Sequence, residues 1–144
     1  AVMDTFVNGV DLPAPQLNGI YGIDKVGNTV YLCVGGGFYF TVLDVTNPAV
    51  IAALGGLDIT TIIPALTPRP FEAIVDGIYA YVNMGAGGVT DGLRILDISN
   101  PAAITLQGSL IGGGAPNFLD DALGMGALFY VAPTVQTDVA TGVT

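Results

Sequence analysis

Residues 92–110 read GLRILDISNPAAITLQGSL, and residues 40–57 read FTVLDVTNPAVIAALGGL. Leu43, Asp44, Asn47, Pro48, Ala49, Gly55 and Leu57 recur 53 positions later as Leu96, Asp97, Asn100, Pro101, Ala102, Gly108 and Leu110. Similar residues fill the gaps: Val42 for Ile95, Val45 for Ile98 and Thr46 for Ser99. Self-similarity at one spacing marks a repeat architecture, in which each unit buries its apolar face against the next.

The local chemistry of the repeated stretch is that of two strands and a turn. TVLDV and RILDI alternate as strands do, and each runs into Asn-Pro. Proline has no N–H for a sheet ladder, so the strand must end there. The polar pairs Thr46-Asn47 and Ser99-Asn100 bring side chains that bond turn backbone. A second strand follows in each copy, VIAALGGLDI and AITLQGSLIG. Upstream, residues 24–34 and 72–82 each read as strand, glycine-centred turn and tyrosine-bearing strand. Gly27-Asn28 and Asp76-Gly77 are the turn dipeptides, since both tolerate positive φ. A third copy of this hairpin, NFLDDALGMGALFYVA, occupies residues 117–132, with Tyr31, Tyr79 and Phe129 at spacings of 48 and 50.

The predicted unit is therefore four antiparallel strands in about 50 residues, the size of a β-propeller blade. Residues 30–34 should pair with 41–45, and residues 78–82 with 94–98. The chain reads as one all-β domain over residues 1–144. It holds an orphan terminal strand (1–15, centred on 6–12), unit 1 (16–63), unit 2 (64–115) and a partial unit 3 (116–144). Unit 3 lacks an LDI-Asn-Pro copy, giving about 2.5 to 3 blade-like units of a partial propeller. A ring closes with about four blades or more. The open ends are expected to pair with other chains or with blades of a longer protein. The start, AVMDTF, reads as following a removed leader or as an excerpt.

The repeated stretch resembles the LVIVD repeat, a family of β-propeller blades found largely in secreted and cell-surface bacterial and archaeal proteins. Gly92, Leu93, Ile95, Asp97, Ile98, Ser99, Asn100, Pro101 and Gly108 carry the resemblance. In the first copy Leu43, Asp44, Asn47, Pro48 and Gly55 match, while Phe40-Thr41 replaces Gly-Leu. The resemblance covers roughly residues 16–132. It implies propeller-like blades, an extracellular or cell-surface location, and no shared catalytic machinery.

Composition narrows the function classes. Hydrophobic residues make up 51% and charged residues 10%, against roughly 25% charged in ordinary soluble domains. Three cations, Lys25, Arg69 and Arg94, face twelve acids, for a net charge of -9. No basic footprint exists for nucleic acid or for anionic lipid. Residues 26–43 and 98–119 are uncharged, but Asn and glycine runs interrupt both, and Pro101 and Pro116 the second. They read as strands and turns, so no membrane span is expected.

The sequence has no His, which removes imidazole-based triads and the commonest metal ligand. The lone Cys33 sits among apolar strand residues. Asp44, Asn47, Pro48, Asp97, Asn100 and Pro101 recur as a set, as structural turn residues would. Asp44, Asp97, Asp120 and Asp121 are the carboxylates that could serve Ca²⁺, a hard cation that takes oxygen ligands. No D-x-D-x-D-G series surrounds them, and no cofactor is expected.

The expectation is a non-catalytic extracellular scaffold. It would self-assemble through sheet edges into a homo-oligomer or filament, using one or both of segments 1–15 and 133–144. Charge, the usual protection of edge strands, is sparse. The alternative is a segment of a larger secreted propeller that binds a protein or glycan. An Asp-dependent hydrolase comes third.

Overall fold

The computed structural model describes residues 5, 7, 9–12, 16–63, 69–85, 92–111, 119–125 and 128–133, with side chains through residue 110. Among these residues the chain is all-β. Strands β1 (Ile20–Val26), β2 (Thr29–Val34), β3 (Tyr39–Asp44) and β4 (Ala52–Asp58) form one antiparallel sheet in chain order. Strands β5 (Arg69–Asp76), β6 (Tyr79–Gly85), β7 (Gly92–Asp97) and β8 (Thr105–Ile111) form a second. Strands β9 (Leu119–Met125) and β10 (Leu128–Pro133) form a hairpin. The expected strand pairs are present, with Val30 opposite Leu43 and Val82 opposite Arg94.

The strand registers correct the alignment of the hairpins. Two residues turn each one: Gly27-Asn28 between Val26 and Thr29, and Gly77-Ile78 between Asp76 and Tyr79. Asp76-Gly77 is thus not the turn pair, because Asp76 is the last residue of β5. Gly27 and Gly77 hold φ of 59° and 60°, as the first central residue of a type II′ turn requires. The structural partner of Tyr31 is then Tyr81, and Tyr130 takes the same third place in β10. Tyr79 and Phe129 stand one or two places earlier in their strands. Tyr79 and Tyr81, two places apart, share one face of β6.

Irregularities repeat as faithfully as the strands. The first strand of each unit shifts register at one point: between Ile20 and Gly22, between Pro70 and Glu72, and opposite Ala132 and Pro133. Tyr21, Phe71 and Asp120 are the extra residues. The third and fourth strands shift between Val42 and Leu43 and between Ile95 and Leu96, leaving Leu54 and Gln107 unpaired. Such bulges bend a strand and increase its twist.

The two full sheets pack face to face. Cys33, Phe40 and Val42 of the first meet Ala73, Ala80, Val82 and Leu96 of the second in one buried cluster, with Ile59 and Ile63 from the connecting segment. A 3-10 turn at Ile59–Thr61 directs that segment, its N-cap Asp58 accepting the Thr60 N–H at 2.9 Å. On the far face of the first sheet, Leu12 packs with Val30, Leu32, Val34 and Leu43, and Leu17 flanks them. β5 in turn touches β9, so β1, β5 and β9 are consecutive neighbours.

The strand expected over residues 6–12 is a turn where it is described. Asp11 accepts the Val7 N–H through Oδ2 at 2.6 Å and returns its own N–H to the Val7 carbonyl at 3.0 Å. Gly9 permits the reversal with φ of 78°. Leu12 alone forms a bridge. Residues 1–4, 6, 8, 13–15 and 134–144, on which the terminal-strand expectations also fall, lie outside the described residues.

Candidate functional site

The repeated Asp-x-x-Asn-Pro segment folds the same way twice. Asp44 accepts the Thr46 N–H at 2.7 Å, and Asp97 accepts the Ser99 N–H at 2.9 Å. Asn47 then accepts the Ala49 N–H at 3.0 Å, and Asn100 the Ala102 N–H at 3.1 Å. The Asn carbonyls close the turn by accepting the N–H of Val50 and of Ala103, each at 2.9 Å. Pro48 and Pro101 stand where their fixed φ suits the turn and no N–H is needed. Two successive side-chain turns thus carry the chain from the third strand to the fourth.

Both aspartates ionise more readily than usual. Hydrogen bonds from the hydroxyl and then the N–H of Thr46 lower the pKa of Asp44 from its ordinary 3.8. Ser99 does the same for Asp97. A carboxyl whose pKa is depressed on folding adds stability that is complete above its unfolded value and is lost as pH falls through the folded one. Replacing both with asparagine should therefore lower the melting temperature at pH 7 and flatten its fall below about pH 4. Melting curves of Asp44→Asn/Asp97→Asn and parent chain between pH 2 and 7 check this. Parallel curves would count against the role.

Metal chemistry finds no assembled ligand set: among the described residues there is no group of three or more His, Cys, Asp and Glu that could hold an ion. Asp44 and Asp97 lie in separate turns. Asp120 and Asp121 lie on β9, Asp120 at the bulge, and their side chains are outside the described set. Cys33 is buried, and burial, reinforced by the charges of Glu72 and Asp24, raises its pKa far above the thiol range. It is a packed apolar group and not a thiolate nucleophile. The described residues include no helix long and apolar enough to cross a membrane.

The surfaces between and beyond the sheets are better defined. At the inner seam, Asp24 on β1 accepts the Val75 N–H of β5 at 2.8 Å. The backbone at Gly22 lies so close to β5 that an added Cβ would fall 2.8 Å from the Glu72 Cα. Nearby, the ring of Tyr21 covers Gly35, and the ring of Phe71 covers Gly85. The two rings stack on each other at 5.3 Å and 12°. At the outer seam, the turn of Pro101–Ala103 lies on β4 at Gly55.

Repeat-equivalent positions then differ in cover. Ala73 on β5, facing the first sheet, is 3% exposed, while Ile23 in the same place on β1 is 65% exposed. Ile20, Tyr21 and Val26 are also exposed along β1. Lys25, the only lysine, stands among them where the second sheet has Val75, and its ammonium bonds the Gly27 carbonyl.

Residues 27–58 and 73–111 each match the family model of the LVIVD repeat. The chain carries two LVIVD repeats. No curated protein and no solved structure matches it. The first LVIVD match runs from the β1–β2 turn to the end of β4, and the second from within β5 to the end of β8. Each takes in the Asp-x-x-Asn-Pro turns and the Gly55 or Gly108 bulge. The LVIVD chain is a β-propeller-like repeat protein.

Some surface features were not legible beforehand. The Asp24–Val75 bond joins residues 51 apart in sequence, and Asp24 has no acidic counterpart, since Ile74 takes its place. The aromatic-on-glycine device could have been found, because Tyr21 with Gly35 and Phe71 with Gly85 recur at a spacing of 50.

Proposed function

We propose that this LVIVD-repeat chain is a non-catalytic, extracellular scaffold that assembles through the uncovered edge strand of its first blade. One observation carries the reading: Ile23 is 65% exposed where the equivalent Ala73, under a neighbouring blade, is 3% exposed. With Ile20, also exposed, it makes an apolar patch on an edge strand guarded by a single lysine. Edge strands without charge or cover tend to recruit partners. The absence of histidine and the buried thiol support a non-catalytic role. The second reading is a segment of a larger secreted propeller that binds a protein or glycan. Face-to-face packing of successive units favours it, because that stacking extends naturally to further blades.

Light scattering on residues 1–144 tests the assembly. The mass should rise with concentration, and Ile23→Lys should weaken association by about tenfold or more while leaving the fold intact. A parent chain that stays monomeric at every concentration rejects the proposal.

A further inference from the structure

We infer that Asp24 is an autoinhibitory contact: its carboxylate occupies outward N–H groups of β1 and β5 and so holds off the addition of a strand from a second copy of the chain. Val26 and Thr29 flank one two-residue turn, and Asp76 and Tyr79 flank another. Such a flanking pair exchanges both of its N–H···O bonds, and every second pair along the ladder does the same. The backbone groups of Asp24 and Val26 therefore point to β2, and those of Ile74 and Asp76 to β6. The N–H groups of Lys25 and Val75 point out of their sheets. A row of outward N–H and C=O groups is a template for another strand. Asp24 guards these edges whether or not the parent chain assembles, which separates its test from that of the scaffold.

Both of these N–H groups end on one side chain. Asp24 accepts the Lys25 N–H through Oδ1 at 2.7 Å and the Val75 N–H through Oδ2 at 2.8 Å. Both are charge-assisted bonds, whose usual length is about 2.7–2.9 Å. The close approach at Gly22 makes the double contact possible. A Cβ there would fall 2.8 Å from the Glu72 Cα, so β1 and β5 lie near enough for one carboxylate to span them. A strand added to either edge must bring a carbonyl to Lys25 or to Val75. It meets an occupied N–H and a carboxylate oxygen in its path, acceptor against acceptor, and its own carbonyl stays unpaired. Lys25 protects β1 by charge on its face, and Asp24 protects it in the plane of hydrogen bonding. The device occurs once in the two full sheets, since Ile74 stands opposite Tyr81 as Asp24 stands opposite Tyr31.

Amide hydrogen exchange and light scattering on residues 1–144 test the guard together. In Asp24→Ala the Lys25 and Val75 amides should exchange about tenfold faster or more than in the parent, with the Tyr31 and Tyr81 amides inside the ladders unchanged. Association should then set in at about a tenfold lower concentration, with the sheets still folded by circular dichroism. Asp24→Asn keeps the shape and one acceptor oxygen. It should shift both readouts in the same direction by less, and it decides the matter if the alanine variant fails to fold. An unchanged onset of association in a folded variant, or Lys25 and Val75 amides that exchange as in the parent, overturns the guard. So does an equal shift of onset in Phe71→Ala, which loosens the same seam by removing the ring stacked on Tyr21 but leaves Asp24 in place. A monomeric parent beside an associating Asp24→Ala rejects the scaffold and supports the guard. An associating parent beside an unaltered variant does the reverse. If every chain is monomeric, both fail.

Discussion

Gly55→Ala should cost about 3 to 5 kcal/mol of unfolding free energy, the range reached only by severe substitutions, while Gly108→Ala at the same place in the repeat should cost less than about 1. Sequence treats the two glycines alike, and the fold does not. Gly55 holds φ of 151°, a conformation closed to L side chains without strain. A Cβ there would also sit 2.5 Å from the Pro101 carbonyl carbon and 2.9 Å from the Ala102 nitrogen. Both are backbone atoms of the neighbouring blade's turn, which the Asn100 side chain holds in place, so they cannot swing aside as a side chain would. At Gly108 the nearest atoms to the added Cβ would be those of the Ile95 side chain, with Cδ1 at an ordinary 3.6 Å. Urea denaturation of the two variants beside the parent decides it. Equal losses would mean that the outer seam between blades is not as close as described.

Phe40→Ala should be comparably severe, at about 3 to 5 kcal/mol. Phe40 is fully buried and belongs to the cluster that joins the two sheets, with its ring 6.1 Å from that of Tyr31. Truncation removes the ring's own burial energy and leaves a cavity. The paired strands β2, β3 and β4 around it can close that cavity only by shifting whole ladders. Typical domains are stable by about 5 to 15 kcal/mol, so such a loss takes a large share. Thermal and urea melts should shift together in a single transition, because the core couples the two blades. A loss under about 1 kcal/mol, or a biphasic melt, would show that the sheets do not depend on this shared core.

The duplicated Asp-x-x-Asn-Pro stretch, with the glycine-turned hairpins at residues 24–34 and 72–82, was enough to establish blades of four strands, their order and the turn after each third strand. Those features follow from local causes: alternation, a proline without an N–H, and short side chains that bond backbone two residues on. The match to the LVIVD repeat rests on the same residues. Hairpin register was legible only in part. Tyr79 sits closer to an apparent tyrosine spacing, but the two-residue turn at Gly77-Ile78 makes Tyr81 the partner of Tyr31, and a shift of two places is invisible to composition.

What only the tertiary structure decided is what each face meets. Gly55 and Gly108, and likewise Ile23 and Ala73, occupy the same repeat positions with opposite surroundings. The difference comes from the neighbours: the turn at Pro101 beside one glycine, and a blade beside one strand but not the other. Nor could alternation show that Leu12 and Leu17 return to cover the first blade, since a turn at residues 7–12 must first redirect the chain. Local sequence sets strand and turn, whereas cover depends on residues far away in the chain.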